Sequence, residues 1–311
     1  MTDHEHPSGV PSSGSSASGV ATSYAPPIVR GEPVEVRRGV HVIPDNRVSL
    51  VPNIGIVVGD NAALVVDTGV GPRNGAFVLD HARRLAGDRP LYLAITQLDP
   101  GHGFGAQAFK GAATIIYSSA QHDRLRQNAP AYVAAFQQLG PAVAAELDGL
   151  QLVEPDLTYQ GQLEIDLGGT HALLRQWGPA HTGDDQTVSI DGQVLFGGDL
   201  FGTRMFAILP YFFPFDTHFD GARWIAALDE LVALNPDVVV PGHGDVTDVQ
   251  QIRDVRDYLA YVQSEVRRMR ADGVAAEEAA ALIEERAVAR WKGWETPQWI
   301  RYAARAFYLT A

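Results

Sequence analysis

The sequence predicts an α/β (α+β) fold in which two β-sheets pack face to face between outer helices, a four-layer αββα sandwich with a helical C-terminal extension. Three observations predict it. Two groups of short strands are each interleaved with helical stretches. Several strands are nearly continuous apolar runs, the pattern of strands covered on both faces. From residue 246 onward the apolar spacing is helical.

Residues 1–30 are rich in Ser, Gly and Pro, with neither a basic start nor an apolar run. They are expected to be a disordered tail and not a signal peptide. The sandwich is expected over 31–245. Strands are predicted at 40–43, 48–58 and 62–66, with Gly59, Asp60 and Asn61 as a hairpin turn. A helix over 72–85 follows from the spacing of Ala76, Val78, Leu79, Ala82 and Leu85. A buried strand at 91–96, a short helix at 105–109, a strand at 113–117 and a long helical region over 119–147 come next. Further strands are predicted at 157–160, 163–167, 172–177, 187–190 and 194–196. An amphipathic helix over 219–234 and a strand at 238–240 complete the sandwich. Helices over 249–270, 275–287 and 297–308 form the extension, 246–311, which either covers the rim of an active site or makes a dimer contact.

Composition narrows the function. There are 24 Lys and Arg against 37 Asp and Glu, a net charge of −13. A nucleic-acid partner is not expected, because neutralising phosphates requires clustered cations. Arg267, Arg268 and Arg270 read as one solvated helix face beside Glu265 and Asp272. The absence of cysteine excludes a thiolate nucleophile and any Cys-based zinc knuckle, so metal ligands must be His, Asp or Glu. No stretch approaches the ~18 apolar residues that span a bilayer. A cytoplasmic protein acting on a small molecule, as a monomer or homodimer, is the expectation.

The chemistry gathers at strand ends. Gln97-Leu98-Asp99-Pro100-Gly101-His102 leaves a buried strand. Asp99-Pro100-Gly101-His102 has the Pro and Gly placement of a type II turn, which would let the carboxylate and the imidazole point at one ion. His181 follows a strand in Gly178-Pro179-Ala180-His181-Thr182. Asp199 ends the run Phe196-Gly197-Gly198-Asp199, where small residues let the backbone approach a ligand. His243 stands in Pro241-Gly242-His243-Gly244. Each alone is compatible with a plain turn; four strand-end loops with potential ligands point to a metal. His218 lies after the Asp199 loop, within reach of a substrate or merely exposed. Asp184 and Asp185 suit hydrogen bonds that orient His181, and a capped turn accounts for them as well. Phe206, Tyr211, Phe212, Phe213 and Phe215 are either core or a wall of an apolar pocket.

From about Val36 to His243 the order of these segments resembles the metallo-β-lactamase superfamily. Leu64-Val65-Val66-Asp67-Thr68-Gly69 resembles its early strand ending in Asp-Thr-Gly, and the His181, Asp199 and His243 segments resemble its later ligand motifs. Val51–Gly75 resembles, more weakly, the branch that includes hydrolytic chlorothalonil dehalogenase. The residues at 96–105 replace the family signature Thr-His-x-His-x-Asp-His-x-Gly-Gly and depart from it. Gln97, Asp99 and Gly101 stand where the signature has His, His and Asp, and His102 is kept. The resemblance implies one ion on His102, Asp199 and His243, and a second, depleted site on His181 and Asp99, with Gln97 offering a weak carbonyl oxygen. It implies Zn²⁺, one or two ions; the oxygen-rich ligand set also suits Fe or Mn.

The function implied is a metal-dependent hydrolase of a small apolar ester, lactone, thioester or aryl halide, with Asp99 and Asp199 as catalytic carboxylates. The alternatives are an iron-dependent oxidoreductase or lyase on the same fold, and a non-catalytic binding protein.

Overall fold

The computed structural model describes residues 24–209 and 217–310. A seven-stranded sheet runs in chain order: β1 (Val34–Arg37), β2 (Val40–Ile43), β3 (Ile54–Val58), β4 (Ala63–Val66), β5 (Leu91–Ala94), β6 (Thr114–Ser118) and β7 (Leu157–Tyr159). It is antiparallel from β1 to β4 and parallel from β4 to β7. The second sheet has β8 (Gln162–Asp166), β9 (His171–Gln176), β10 (Gln186–Ile190), β11 (Val194–Phe196) and β12 (Val238–Val240) side by side. Only its β11–β12 pair is parallel.

The period-two alternation of a strand divides its residues between two cores. Leu64 and Val66 of β4 and Val194 and Phe196 of β11 meet between the sheets. At Gly55 the sheets approach closely, since a Cβ there would lie 2.5 Å from the Phe196 ring. Ala63 and Val65 face outward into a core shared with α1 (Gly71–Ala86). The same layer holds residues of α3 (Ser119–Gln127), α4 (Ala129–Gln137) and α5 (Pro141–Glu146). One further helical turn, α2 (Pro100–Gly103), lies at the end of the β5 loop.

On the opposite side Leu195 and Val239 are buried against α6 (Gly221–Leu234) and α7 (Val249–Ala271). α8 (Ala276–Arg290) and α9 (Trp299–Thr310) join that same cluster through Ile283, Ala303 and Phe307. The four layers expected from the sequence are present. The C-terminal helices are continuous with the outer layer, because one apolar core runs from Leu195 to Phe307.

Several expectations need correction. β3 starts at Ile54, not at 48, because Leu50 adopts left-handed backbone (φ 66°) and breaks the extended run. The helical region 119–147 is three helices, divided at Asn128 and at Gly140 (φ 130°), with Pro130 and Pro141 opening the next two. β1 escaped the sequence reading, being a four-residue edge strand with exposed or half-buried side chains. The expected tail 1–30 is too long: Val29 is buried and its N–H donates to Asn74 Oδ1 (2.8 Å). Residues 1–23 and the aromatic stretch Tyr211, Phe212, Phe213 and Phe215 lie outside the described residues. Among the described residues no helix is long and apolar enough to cross a membrane.

Candidate metal centre

Asp67 closes β4 with φ 69°, an uncommon backbone for a residue other than glycine. Its buried carboxylate is held by three donors. Thr96 N–H reaches Oδ1 at 2.7 Å, while Thr96 Oγ1 and His102 Nδ1 reach Oδ2 at 2.9 Å each. Thr68 completes the clamp, its N–H and its Oγ1 both donating to the His102 carbonyl at 2.8 Å. With Nδ1–H given to Asp67, the His102 ring turns Nε2 toward Asp199, 3.2 Å from Oδ2. Such a carboxylate–histidine pair fixes both tautomer and orientation of a metal-binding imidazole. Sequence reading named the Asp-Thr-Gly motif without giving Asp67 a role; an acid at the end of a wholly apolar strand was the available signal.

Asp199 leaves β11 through Gly197 and Gly198. Gly198 has φ 53°, and a Cβ there would strike Thr96. His243 Nε2 lies 3.5 Å from Asp199 Oδ1. One ligand atom from each of His102, Asp199 and His243 falls within 4.8 Å of the others. The β12 loop that carries His243 is anchored from the β2–β3 connection. Asn53 Nδ2 donates to the carbonyls of Pro241 (3.0 Å) and Gly244 (2.7 Å), and Asp45 Oδ2 accepts from Gly244 N–H at 2.9 Å. Asn53 and Asp45 were not singled out from the sequence, since they lie in a loop with no motif.

The electrostatics suit a cation. Burial would lower the His102 pKa, but Asp199 and Asp67 override it and hold the imidazole well above its ordinary range. Burial would likewise raise Asp199, and His102 and His243 more than offset that and hold it below the usual carboxylate range. A pocket that concentrates positive charge between two carboxylates is one a divalent ion fits, in exchange for a proton.

The remaining predicted ligands are placed differently. Asp99, Pro100, Gly101 and His102 do not form a type II turn. Gly101 stays out of the left-handed region, and the segment enters the helical turn α2 with Asp99 as its N-cap, Oδ1 accepting Gly101 N–H at 2.9 Å. Asp99 therefore stays outside the three-residue group. Burial raises its pKa above the ordinary value. Gln97 offers Asp199 a hydrogen in place of the expected carbonyl oxygen, its Nε2 donating to Oδ2 at 3.0 Å.

His181 is buried and also outside the group. Its Nδ1 lies 3.3 Å from Asp185 Oδ1, its ring packs edge-on against Trp224, and its Nε2 has no hydrogen-bond partner. Asp184 ties this loop to the β5 loop, accepting from Leu98 N–H and Arg124 Nη1 at 2.7 Å each. His218 is exposed beside Gly183 and does not line the cavity.

Above the three converging residues opens a cavity of about 420 Å³. Gln97, Asp99, His102, His181, Asp199 and His243 share its lining with Leu50, Phe136, Leu139, Met205, Ile208 and Trp299. Phe206, a candidate for that wall, is instead buried in the core.

Residues 49–243 match the family described as the Metallo-beta-lactamase superfamily. The chain belongs to this superfamily. Among solved structures it is similar to the stereoselective inverting sec-alkylsulfatase Pisa1 from Pseudomonas sp., with 16% identity and a TM-score of 0.66 over 90% of this chain. This chain spans 50% of that longer protein. It is also similar to a metallo-beta-lactamase from Pontibacter korlensis, with 17% identity and a TM-score of 0.56 over 74% of this chain and 98% of the other. An archaeal metallo-beta-lactamase superfamily protein from Sulfolobus tokodaii shares 19% identity at a TM-score of 0.53, over 71% and 86% of the two chains. At these identities the likeness is one of fold. A search of curated proteins gave no match.

Proposed function

We propose that the protein is a metal-dependent hydrolase of a small, largely apolar substrate (an ester, lactone, thioester or aryl halide). The observation that carries this reading is the convergence of His102, Asp199 and His243 at the base of a cavity walled by Phe136, Leu139, Met205, Ile208 and Trp299. Two His and a carboxylate suit Zn²⁺ and also Fe or Mn.

His102, Asp199 and His243 would hold the ion, which would supply a nucleophile from water near neutral pH and polarise the bond under attack. This chain's own groups do the rest. Asp67 keeps the Nδ1 proton of His102, so that Nε2 faces Asp199 and is free to take the ion. Asp99, whose buried carboxyl is held above the ordinary value, is the group proposed to exchange the proton, with Gly101 standing where the family signature has its acid. The apolar wall takes the hydrocarbon part of the substrate and displaces water from it.

The test is turnover of a panel of aryl and alkyl esters, thioesters, lactones and aryl halides by zinc-loaded protein. Hydrolysis should vanish with a chelator, return with Zn²⁺, and be lost in His243→Ala and Asp199→Ala. Iron bound with redox turnover and no hydrolysis would refute this reading.

A further inference from the structure

We propose that Gln97 makes this a one-ion centre, its side-chain amide occupying the flank of Asp199 where a second cation would sit and leaving His181 as a ligand without an ion. The inference rests on the metal-dependent reading above and goes beyond it to the number of ions and the residue that sets it.

The cavity holds two sets of donors. His102 Nε2 and His243 Nε2 face Asp199 from its two oxygens, at 3.2 and 3.5 Å, and form the converging set. A second ion sharing Asp199 would have to be completed by Gln97, Asp99 and His181, which line the same cavity. Gln97 turns a hydrogen toward Asp199 Oδ2 at 3.0 Å. An amide N–H takes one lone pair of that oxygen and also places partial positive charge on the line of approach of a cation. Asp99 spends Oδ1 on the cap of α2.

His181 Nε2 remains, buried and without a partner, its ring held by Asp185 and Trp224. His181 Nε2 and the second oxygen of Asp99 do not complete a site for a divalent ion where Asp199 Oδ2 already accepts a hydrogen bond. Asp199 is then a terminal ligand of one ion, and the excluding residue is Gln97.

The experiment counts metal. Protein stripped with chelator, reloaded with excess Zn²⁺ and desalted should carry one zinc per chain by elemental analysis. Gln97→His exchanges the amide for a ring nitrogen in the cavity that His181 also lines and should carry two, with unchanged far-UV circular dichroism and with metal-free melting unchanged. Adding His181→Ala to that variant should return the count to one. Two ions in the wild type would overturn this inference and leave the hydrolase reading standing; none would overturn both. A folded Gln97→His protein that still holds one ion would remove Gln97 as the cause.

Discussion

Asp99 and Gly242 both border the proposed ion site, one through its carboxyl and the other through the room left by having no side chain. Asp99 caps α2 and is raised in pKa by burial. A carboxyl whose folded pKa lies above its unfolded value favours the fold while protonated. That stability is full below the unfolded value, 3.8, and declines as pH rises through the elevated folded value. Asn caps a helix as well as Asp does and carries no charge. Metal-free Asp99→Asn protein should therefore melt higher than the wild type at neutral pH, with the difference closing on acidification toward pH ~4. Melting curves across that range check it, and a constant difference would refute it. At Gly242 a Cβ would sit 2.1 Å from Asp199 Oδ1. Gly242→Ala must therefore displace either the ligand or the loop, at about 1–3 kcal/mol of overpacking. Zinc affinity is expected to fall more than tenfold while the circular dichroism stays native, as competition with a chromophoric chelator would show.

At the scale of elements, the strand-end loops were legible in the sequence because each breaks a run of apolar residues with glycine and a ligand type. Leu195-Phe196-Gly197-Gly198-Asp199 and Val239-Val240-Pro241-Gly242-His243 are the clearest cases. The conformation of a loop was not legible. Asp99-Pro100-Gly101-His102 reads as a turn from Pro and Gly, yet the Thr68 clamp on the His102 carbonyl and the Asp99 cap draw it into a helical turn. Tertiary hydrogen bonds decided what local preference left open. The same holds for Asn53, which no motif marks and which fixes the His243 loop across 188 residues of chain. Asn53→Ala leaves the buried Pro241 and Gly244 carbonyls without this donor. It is expected to cost about 1–3 kcal/mol in denaturant unfolding. Zinc affinity should weaken with it, although Asn53 touches no ligand atom. A stability loss with unaltered zinc affinity would show that the His243 loop holds itself.

For the whole molecule the informative feature is how far the wall of the cavity is drawn from across the chain. Phe136 and Leu139 belong to the helical layer of the first sheet, whereas Trp299 begins α9 in the C-terminal layer of the second. The two layers belong to different apolar cores and both contribute to the lining of this cavity. The C-terminal segment is fastened there by main-chain bonds, Phe206 N–H to the Glu295 carbonyl at 3.0 Å and Glu295 N–H to the Arg204 carbonyl at 2.8 Å. The 291–299 tryptophans divide accordingly. Trp291 and Trp294 pack around Tyr258 inside the outer layer, while Trp299 reaches the cavity beside Gln298. This division separates metal binding from substrate binding, because no ligand to the proposed ion comes from the C-terminal helices. Trp299→Ala should leave zinc content and melting close to wild type while raising KM for apolar substrates. An aromatic wall worth about 1.5–3 kcal/mol of burial corresponds to roughly ten- to hundredfold, and short-chain substrates should be affected least. The check is kcat and KM across a homologous series of acyl chain lengths. Equal losses for the shortest and longest members would mean that Trp299 shapes the metal centre and not the pocket above it.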